Sequence, residues 1–177
     1  MALVNTIAKL LSSIVAEDIV YLMEVHALLP ANHIGGWPGH TTSDSLHLLV
    51  DMVKAVWQRR QVASALFLNI EGAFPNAVTD WLLHNLRKWR IPERYVAFIG
   101  SMLMGRRNRL KFNNYLSEWF QLDNSIVQGD PLSMILYLFY NADLFNIGCG
   151  RHEMCLGYVD DLALVAMAAI SQIHTDC

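Results

Sequence analysis

Tyr158-Val159-Asp160-Asp161 interrupts a run that is otherwise apolar: Met154-Cys155-Leu156-Gly157 leads in, and Leu162-Ala163-Leu164-Val165-Ala166-Met167-Ala168-Ala169 leads out. Two β-prone stretches, 154–158 and 162–169, on either side of two carboxylates predict a hairpin with Asp160 and Asp161 at its tip. Paired aspartates are most often just a solvated turn. Adjacent carboxylates between strands this apolar need a further explanation, and the rest of the chain supplies candidates for it.

Residues 62–70 read as a short, nearly continuous apolar strand, the pattern expected when both faces of a strand are covered. It ends at Asn69, Ile70 and Glu71, just before Gly72. Upstream, Ile7, Leu10, Leu11, Ile14, Ile19, Leu22 and Met23 form a helical stripe over 5–27 that predicts a core-facing helix. A loop follows at 32–42, punctuated by Gly35, Gly36, Pro38 and Gly39. A second helix comes next, capped by Ser43, with Leu46, Leu49, Val50, Val53, Val56 and Trp57 on one face. Downstream, helices are expected at about 76–89 and 93–104, and a hairpin around Asn113-Asn114, since Asn tolerates positive φ. Gln128-Gly129-Asp130-Pro131 looks like a helix entrance, with Asp130 as cap and Pro131 first in a helix that runs to about Phe145. The irregular alternation of elements predicts an α+β fold, an antiparallel sheet packed against helices.

The 177 residues, 54% of them hydrophobic, suffice for one domain with a buried core. Sixteen acidic against 13 basic residues give a net charge of -3, so no overall basic field points to a polyanion and any such contact has to be local. Two basic clusters exist, Arg87, Lys88, Arg90 and Arg94, and the denser Arg106, Arg107, Arg109 and Lys111. On its own a charge run is more often a solvated face. The longest apolar run, 162–170, falls far short of the roughly 20 residues of a membrane span, and the first eleven residues do not form a secretory signal. The expectation is an intracellular protein, in the cytoplasm or nucleus, with no membrane partner. Cys149, His152 and Cys155 are closely spaced but lack a fourth ligand and a zinc-finger spacing, and Cys177 completes an odd number of cysteines.

Nucleotidyl transfer commonly uses two Mg²⁺ ions about 3.5–4 Å apart, which need clustered oxygen ligands. Strand ends that meet at one sheet edge can supply them; here these are the end of the 62–70 strand and the Asp160-Asp161 turn. Tyr158-Val159-Asp160-Asp161 is similar to the signature of reverse transcriptases. It is joined, in the family's order and separation, by Leu66-Phe67-Leu68-Asn69-Ile70-Glu71-Gly72-Ala73-Phe74 and by Gln128-Gly129-Asp130-Pro131-Leu132-Ser133. The chain resembles the reverse transcriptases of non-LTR retrotransposons, notably fungal ones, from its first helix almost to its end.

The resemblance implies a polymerase fingers-and-palm fold in one partial domain, with fingers-side helices and loop at about 1–61 and a palm with a hairpin insertion at about 62–177. It implies RNA-directed DNA synthesis from an RNA template, a DNA primer and deoxynucleoside triphosphates. Asp160 and Asp161, with the backbone carbonyl of Ile70, correspond to the metal-binding and catalytic positions of a two-ion Mg²⁺ site. Phe74 would sit under the incoming sugar and exclude a 2′-hydroxyl; Gln128 and Gly129 would line the pocket for the new base pair. Arg106, Arg107, Arg109 and Lys111 would touch nucleic-acid backbone. Read singly, Phe74 is core and Gln128-Gly129-Asp130 a turn with a cap; their co-occurrence in one order outweighs those readings.

The copy departs from the family pattern at its centre. Asn69 stands where the family has its first catalytic aspartate, and an amide offers one carbonyl oxygen but no negative charge. Trp37 and His40 stand where related sequences carry arginines, Trp81 and Trp89 also look like replaced arginines, and Ser125 like a replaced glycine. Each change is reachable by one G-to-A or C-to-T transition, which predicts a degenerate element copy; Val127, where proline is usual, does not fit that pattern. The chain stops about sixteen residues after Asp161, so no thumb is expected. The reading is a reverse transcriptase domain made inactive by Asn69 and truncation, a pseudoenzyme. The alternatives are a non-catalytic nucleic-acid-binding remnant, a relic without function, or a helical interaction module.

Overall fold

The computed structural model describes residues 5–36, 39–122, 124–146, 150 and 152–169; Trp37, Cys149 and Cys177 lie outside them. In chain order the elements are α1 (Thr6–His26), α2 (Thr42–Gln58), β1 (Gln61–Asn69), α3 (Thr79–Lys88), α4 (Glu93–Leu103), β2 (Arg106–Asn108), β3 (Lys111–Phe112), β4 (Tyr115–Leu116), β5 (Phe120–Leu122), α5 (Ser133–Asn141), a 3-10 helix (Ala142–Asn146), β6 (Glu153–Tyr158) and β7 (Asp161–Ala169). Helices and antiparallel sheets are mixed, as an α+β fold requires. Contacts divide the chain into two compact units, Met1–Leu28 with Gly72–Tyr140, and Leu29–Glu71 with Asn141–Cys177. No helix among the described residues is long and apolar enough to cross a membrane.

In the first unit, Asn5 caps α1 by accepting the Ile7 N–H at 2.9 Å, and Ala27 closes it in the left-handed conformation. Only part of the predicted stripe is covered. Of its members only Ile19 and Met23 are buried, Leu22 is half-buried, and Ile7, Leu10, Leu11 and Ile14 are exposed; the buried face runs instead through Ser12, Val15, Ala16, Ile19 and Met23, because the packing partner decides which side of a largely apolar helix is covered. The Tyr95 hydroxyl of α4 donates to Asp18 of α1 at 2.8 Å, which ties the two helices. Leu82 and Leu86 of α3, Val96, Ile99 and Leu103 of α4, and Leu136 and Phe139 of α5 complete the core. The buried Asn85 amide donates to the Phe139 and Tyr140 carbonyls at 3.2 and 3.1 Å, which satisfies donors that would otherwise be costly there. α3 starts at Thr79, later than expected, because 72–77 are wound into turns in which Gly72 and Phe74 accept from Asn76 and Ala77.

The second unit is built on a three-stranded sheet of order β1-β7-β6, antiparallel throughout. α2 packs against β1 and β6. Thr41, not Ser43, caps α2: its hydroxyl takes the Asp44 N–H while the Asp44 carboxylate takes the Thr41 N–H at 2.7 Å. That reciprocal box satisfies two orphan donors at once. β1 is an edge strand, contrary to the expectation of cover on both faces. It is hydrogen-bonded to β7 alone among the described strands, and Leu66, Phe67 and Leu68 are exposed. An apolar run shows a strand that wants cover on both faces, and says nothing about whether it has it. The helix expected to reach Phe145 ends at Asn141 and tightens into the 3-10 turn.

Candidate active site

The hairpin is where the sequence puts it. β6 and β7 pair from Glu153↔Ala166 to Tyr158↔Asp161, leaving Val159 and Asp160 as a two-residue turn. β1 pairs with the other edge of β7 and brings Asn69 directly opposite Asp161. Directly opposed residues in an antiparallel pair share a face, with Cβ atoms about 5 Å apart. The Ile70 N–H donates to the Asp160 carbonyl at 3.1 Å, which locks the end of β1 to the turn. Asn69 and Asp161 are exposed and Asp160 is half-buried.

The turn is held under strain. Val159 has φ 59, in a region a β-branched residue rarely enters and one that turns of this length normally give to glycine. Three contacts impose it. The buried Asn141 amide donates to the Val159 carbonyl at 2.7 Å. Residues 32–35 run along β6, with Ile34 donating to the Gly157 carbonyl at 2.9 Å and Gly157 to Asn32 at 3.0 Å. A Cβ on Gly35 would lie 2.7 Å from the Val159 nitrogen and 2.8 Å from the Tyr158 Cα, so only glycine lets the loop approach the hairpin backbone this closely. Asn32 adds side-chain bonds to the Cys155 carbonyl at 2.8 Å and the Phe145 carbonyl at 3.3 Å. Asn32, Gly35 and Asn141 position the turn without a motif to mark them; the Gly35-Gly36 pair is the one signal in the sequence, and by itself it reads equally as loop punctuation.

An apolar cavity of about 410 Å³ lies beside this turn, lined by Leu46 and Leu49 of α2, Phe67 and Leu68 of β1, and Tyr158 and Leu162 of the hairpin, with Asn69 and Asp161 also on its wall. Below it in chain order, His33 is buried against Phe145, ring centroids 4.1 Å apart, and neither ring nitrogen has a hydrogen-bond partner among the described residues. Burial pushes its pKa from 6.5 down to about 4, because the charged imidazolium is poorly solvated there.

The sheet end brings together two adjacent carboxylates and one amide. Among the described residues no three Asp, Glu, His or Cys side chains gather to hold a metal, and the side chain opposite Asp161 is the neutral amide of Asn69. Mg²⁺ on a protein often takes only one or two carboxylates, with water and substrate phosphates completing its shell, so Asp160 and Asp161 are the charged oxygen ligands this sheet end offers.

The other predicted site residues lie in the first unit. Phe74 is half-buried, its ring stacked on Tyr137 at 5.0 Å, and its carbonyl accepts from Ile126 at 2.8 Å. That bond draws Phe74 to the segment leading into Gln128 and Gly129, both exposed, with Gly129 at φ 92. The turn behind them is braced by Asp130, whose carboxylate accepts from Leu132 at 3.0 Å, and by the Ser133 hydroxyl, which donates to the Val127 carbonyl. The sequence predicts that Asp130 caps a helix opening at Pro131; the helix begins at Ser133, and the Asp130 carboxylate instead braces the turn ahead of it through the Leu132 N–H. Arg106 is committed to the fold: its guanidinium donates to the Leu103 carbonyl at 2.8 Å and to the Ser125 carbonyl, and burial lowers its pKa. Arg107, Arg109 and Lys111 are exposed.

A model of the family described as reverse transcriptase (RNA-dependent DNA polymerase) matches residues 1–176. The chain is 27% identical over 166 residues to a probable RNA-directed DNA polymerase from transposon X-element of Drosophila melanogaster, covering 93% of this chain and 18% of that protein. It is 25% identical to the corresponding protein of transposon BS from the same fly, over 93% and 19%, and 24% identical to the RNA-directed DNA polymerase from mobile element jockey of Drosophila funebris, over 99% and 20%. The chain thus spans about a fifth of the length of these relatives. In fold it is similar to the telomerase of Candida albicans, solved in complex with a fragment of telomeric RNA, with a TM-score of 0.63 at 12% identity over 88% of this chain and 30% of that one.

Proposed function

The chain belongs to the reverse transcriptase (RNA-dependent DNA polymerase) family, and from that premise we propose that it is the fingers-and-palm portion of a non-LTR retrotransposon polymerase whose chemical centre has lost one carboxylate. Residues 1–61 are the fingers side and 62–177 the palm, with 106–122 as the hairpin insertion. The substrates are an RNA template, a DNA primer and deoxynucleoside triphosphates. The observation that carries this reading is the register of Asn69 opposite Asp161, beside a strained two-residue turn bearing Asp160. Strain of this kind persists where surrounding structure over-determines it, and it clusters at functional sites.

In this reading Asp160, Asp161 and the Ile70 carbonyl are what is left of a Mg²⁺ site. Phe74 selects the sugar, and Gln128 and Gly129 face the base pair. The fit of a degenerate copy is supported by Ser125, held at φ 120 where glycine is at ease, and by Trp81, a large apolar residue left exposed on α3.

Primer extension on an RNA template with Mg²⁺ tests the proposal, comparing the parent chain with Asn69→Asp. A charged ligand that stabilises the transition state contributes several kcal/mol, and about 1.4 kcal/mol is tenfold in rate. The variant is therefore expected to extend the primer at least about 100-fold faster than the parent. Activity in the parent equal to the variant would overturn the role given to Asn69. Silence in both favours the second reading, a non-catalytic nucleic-acid-binding remnant, which Asn69 itself already favours over a working enzyme.

A further inference from the structure

Residues 106–122 form an arm of two short antiparallel ladders, β2 with β5 and β3 with β4. Every residue from Arg107 to Gln121 except Ser117 is exposed. Asn108 pairs with Phe120 and Lys111 with Leu116, so the returning strand has one residue more than its partner between the ladders, a bulge opposite Arg109. The Ser117 N–H donates to the Leu110 carbonyl at 2.9 Å and keeps the ribbon continuous across it.

Alternate residues of a strand share a face, at about 6.6 Å intervals. Arg107 in β2, Arg109 in the link between the ladders and Lys111 in β3 recur at every second residue along the outgoing side of the arm, all three exposed. Trp119 joins them, with the Arg109 guanidinium 4.6 Å over its ring centroid. The arm holds four of the chain's 13 basic residues against one acid, Glu118, in a chain whose net charge is -3. Arg106 is excluded from the open face because its guanidinium is bound to the Leu103 and Ser125 carbonyls.

We propose that this face of the arm binds a single-stranded nucleic acid, with Arg107 and Lys111 on successive phosphates and an unpaired base stacked on the Trp119–Arg109 pair. A row of cations alone attracts any polyanion. An aromatic ring set among them selects a strand whose bases are free to stack, because every base presents a π-face and a duplex hides its own. The exposed tryptophan, costly to leave in water, is accounted for by the same contact. The inference rests on the proposed function only in taking nucleic acid as the polyanion.

Fluorescence anisotropy of a labelled oligouridylate and of a short RNA duplex, each titrated with the full chain at several salt concentrations, tests it. Tighter binding of the single strand is expected. Trp119→Ala should weaken that binding about tenfold, and Trp119→Phe should restore most of it. The double substitution of Arg107→Gln and Lys111→Gln should flatten the salt slope by about 1.4. Equal affinity for single strand and duplex, or no loss in Trp119→Ala, overturns the proposal, as does binding to neither. If Trp119→Ala instead abolishes self-association of the chain, the arm is a contact between copies and the proposal is likewise overturned. Silence of Asn69→Asp in primer extension with single-strand binding intact removes only the polymerase reading.

Discussion

Asn69 and Asp161 face each other across β1 and β7, so one amide decides what the sheet end can do. Replacing a carboxylate with an amide keeps size but removes the charge and turns one acceptor oxygen into a donor; the backbone pairing of the strand has no reason to change, and the chemistry does. His33 shows the opposite case, a titratable side chain whose effect is on folding. In the native chain it titrates at about 4, in the unfolded chain at 6.5. Between those values the unfolded chain binds the extra proton, so the stability contribution is fully present above pH 6.5 and is lost as pH falls toward 4, about 3 kcal/mol in all. Urea unfolding at pH 7 and at pH 4.5 should show this loss in the parent chain and a much smaller one in His33→Leu. Equal losses in the two chains would show that other groups carry the acid sensitivity.

At the scale of elements, the hairpin that bears Asp160 is shaped by a loop distant in sequence. The 32–35 segment bonds to Gly157 and approaches the Tyr158–Val159 backbone within a distance no side chain tolerates. Gly35→Ala is expected to push the loop off β6 and to cost about 1–3 kcal/mol, the usual penalty for overpacking. Amide exchange of Ile34 and Gly157 should quicken in the variant relative to the α4 amides. Uniform exchange throughout would mean that the loop does not brace the turn. The helices show a second lesson. The capping box of Thr41 and Asp44 is written in the sequence as a Thr with Asp three residues on, a weaker form of the usual pattern, while Ser43, nearer the apolar run, is inside the helix.

For the molecule as a whole, apolar content exceeds what the described residues bury. Leu66 and Phe67 of β1 are 55% and 66% exposed, on a strand whose outer edge has no strand partner among the described residues. Contiguous apolar surface on an open edge favours association between chains. Phe67→Lys is therefore expected to raise the concentration at which the chain begins to self-associate, read by sedimentation velocity. No change between parent and variant would place the association elsewhere, with the exposed end of α1 as the next surface to alter.

Much was legible without coordinates. The extents of α1 and α4, the tip of the 154–169 hairpin and the turn at Asn113-Asn114 follow from local pattern and from rules that act over a few residues. The motif order that names the family is likewise linear text, as is the loss of charge at Asn69. Tertiary structure decided the rest. It set the pairing that puts Asn69 opposite Asp161, the edge position of β1, the face of α1 that is buried, the engagement of Arg106 by backbone carbonyls, and the grip of Asn141 and Gly35 on the turn. These depend on residues far apart in the chain, and a periodicity or propensity carries no information about which distant partner arrives to cover a face or accept a hydrogen bond.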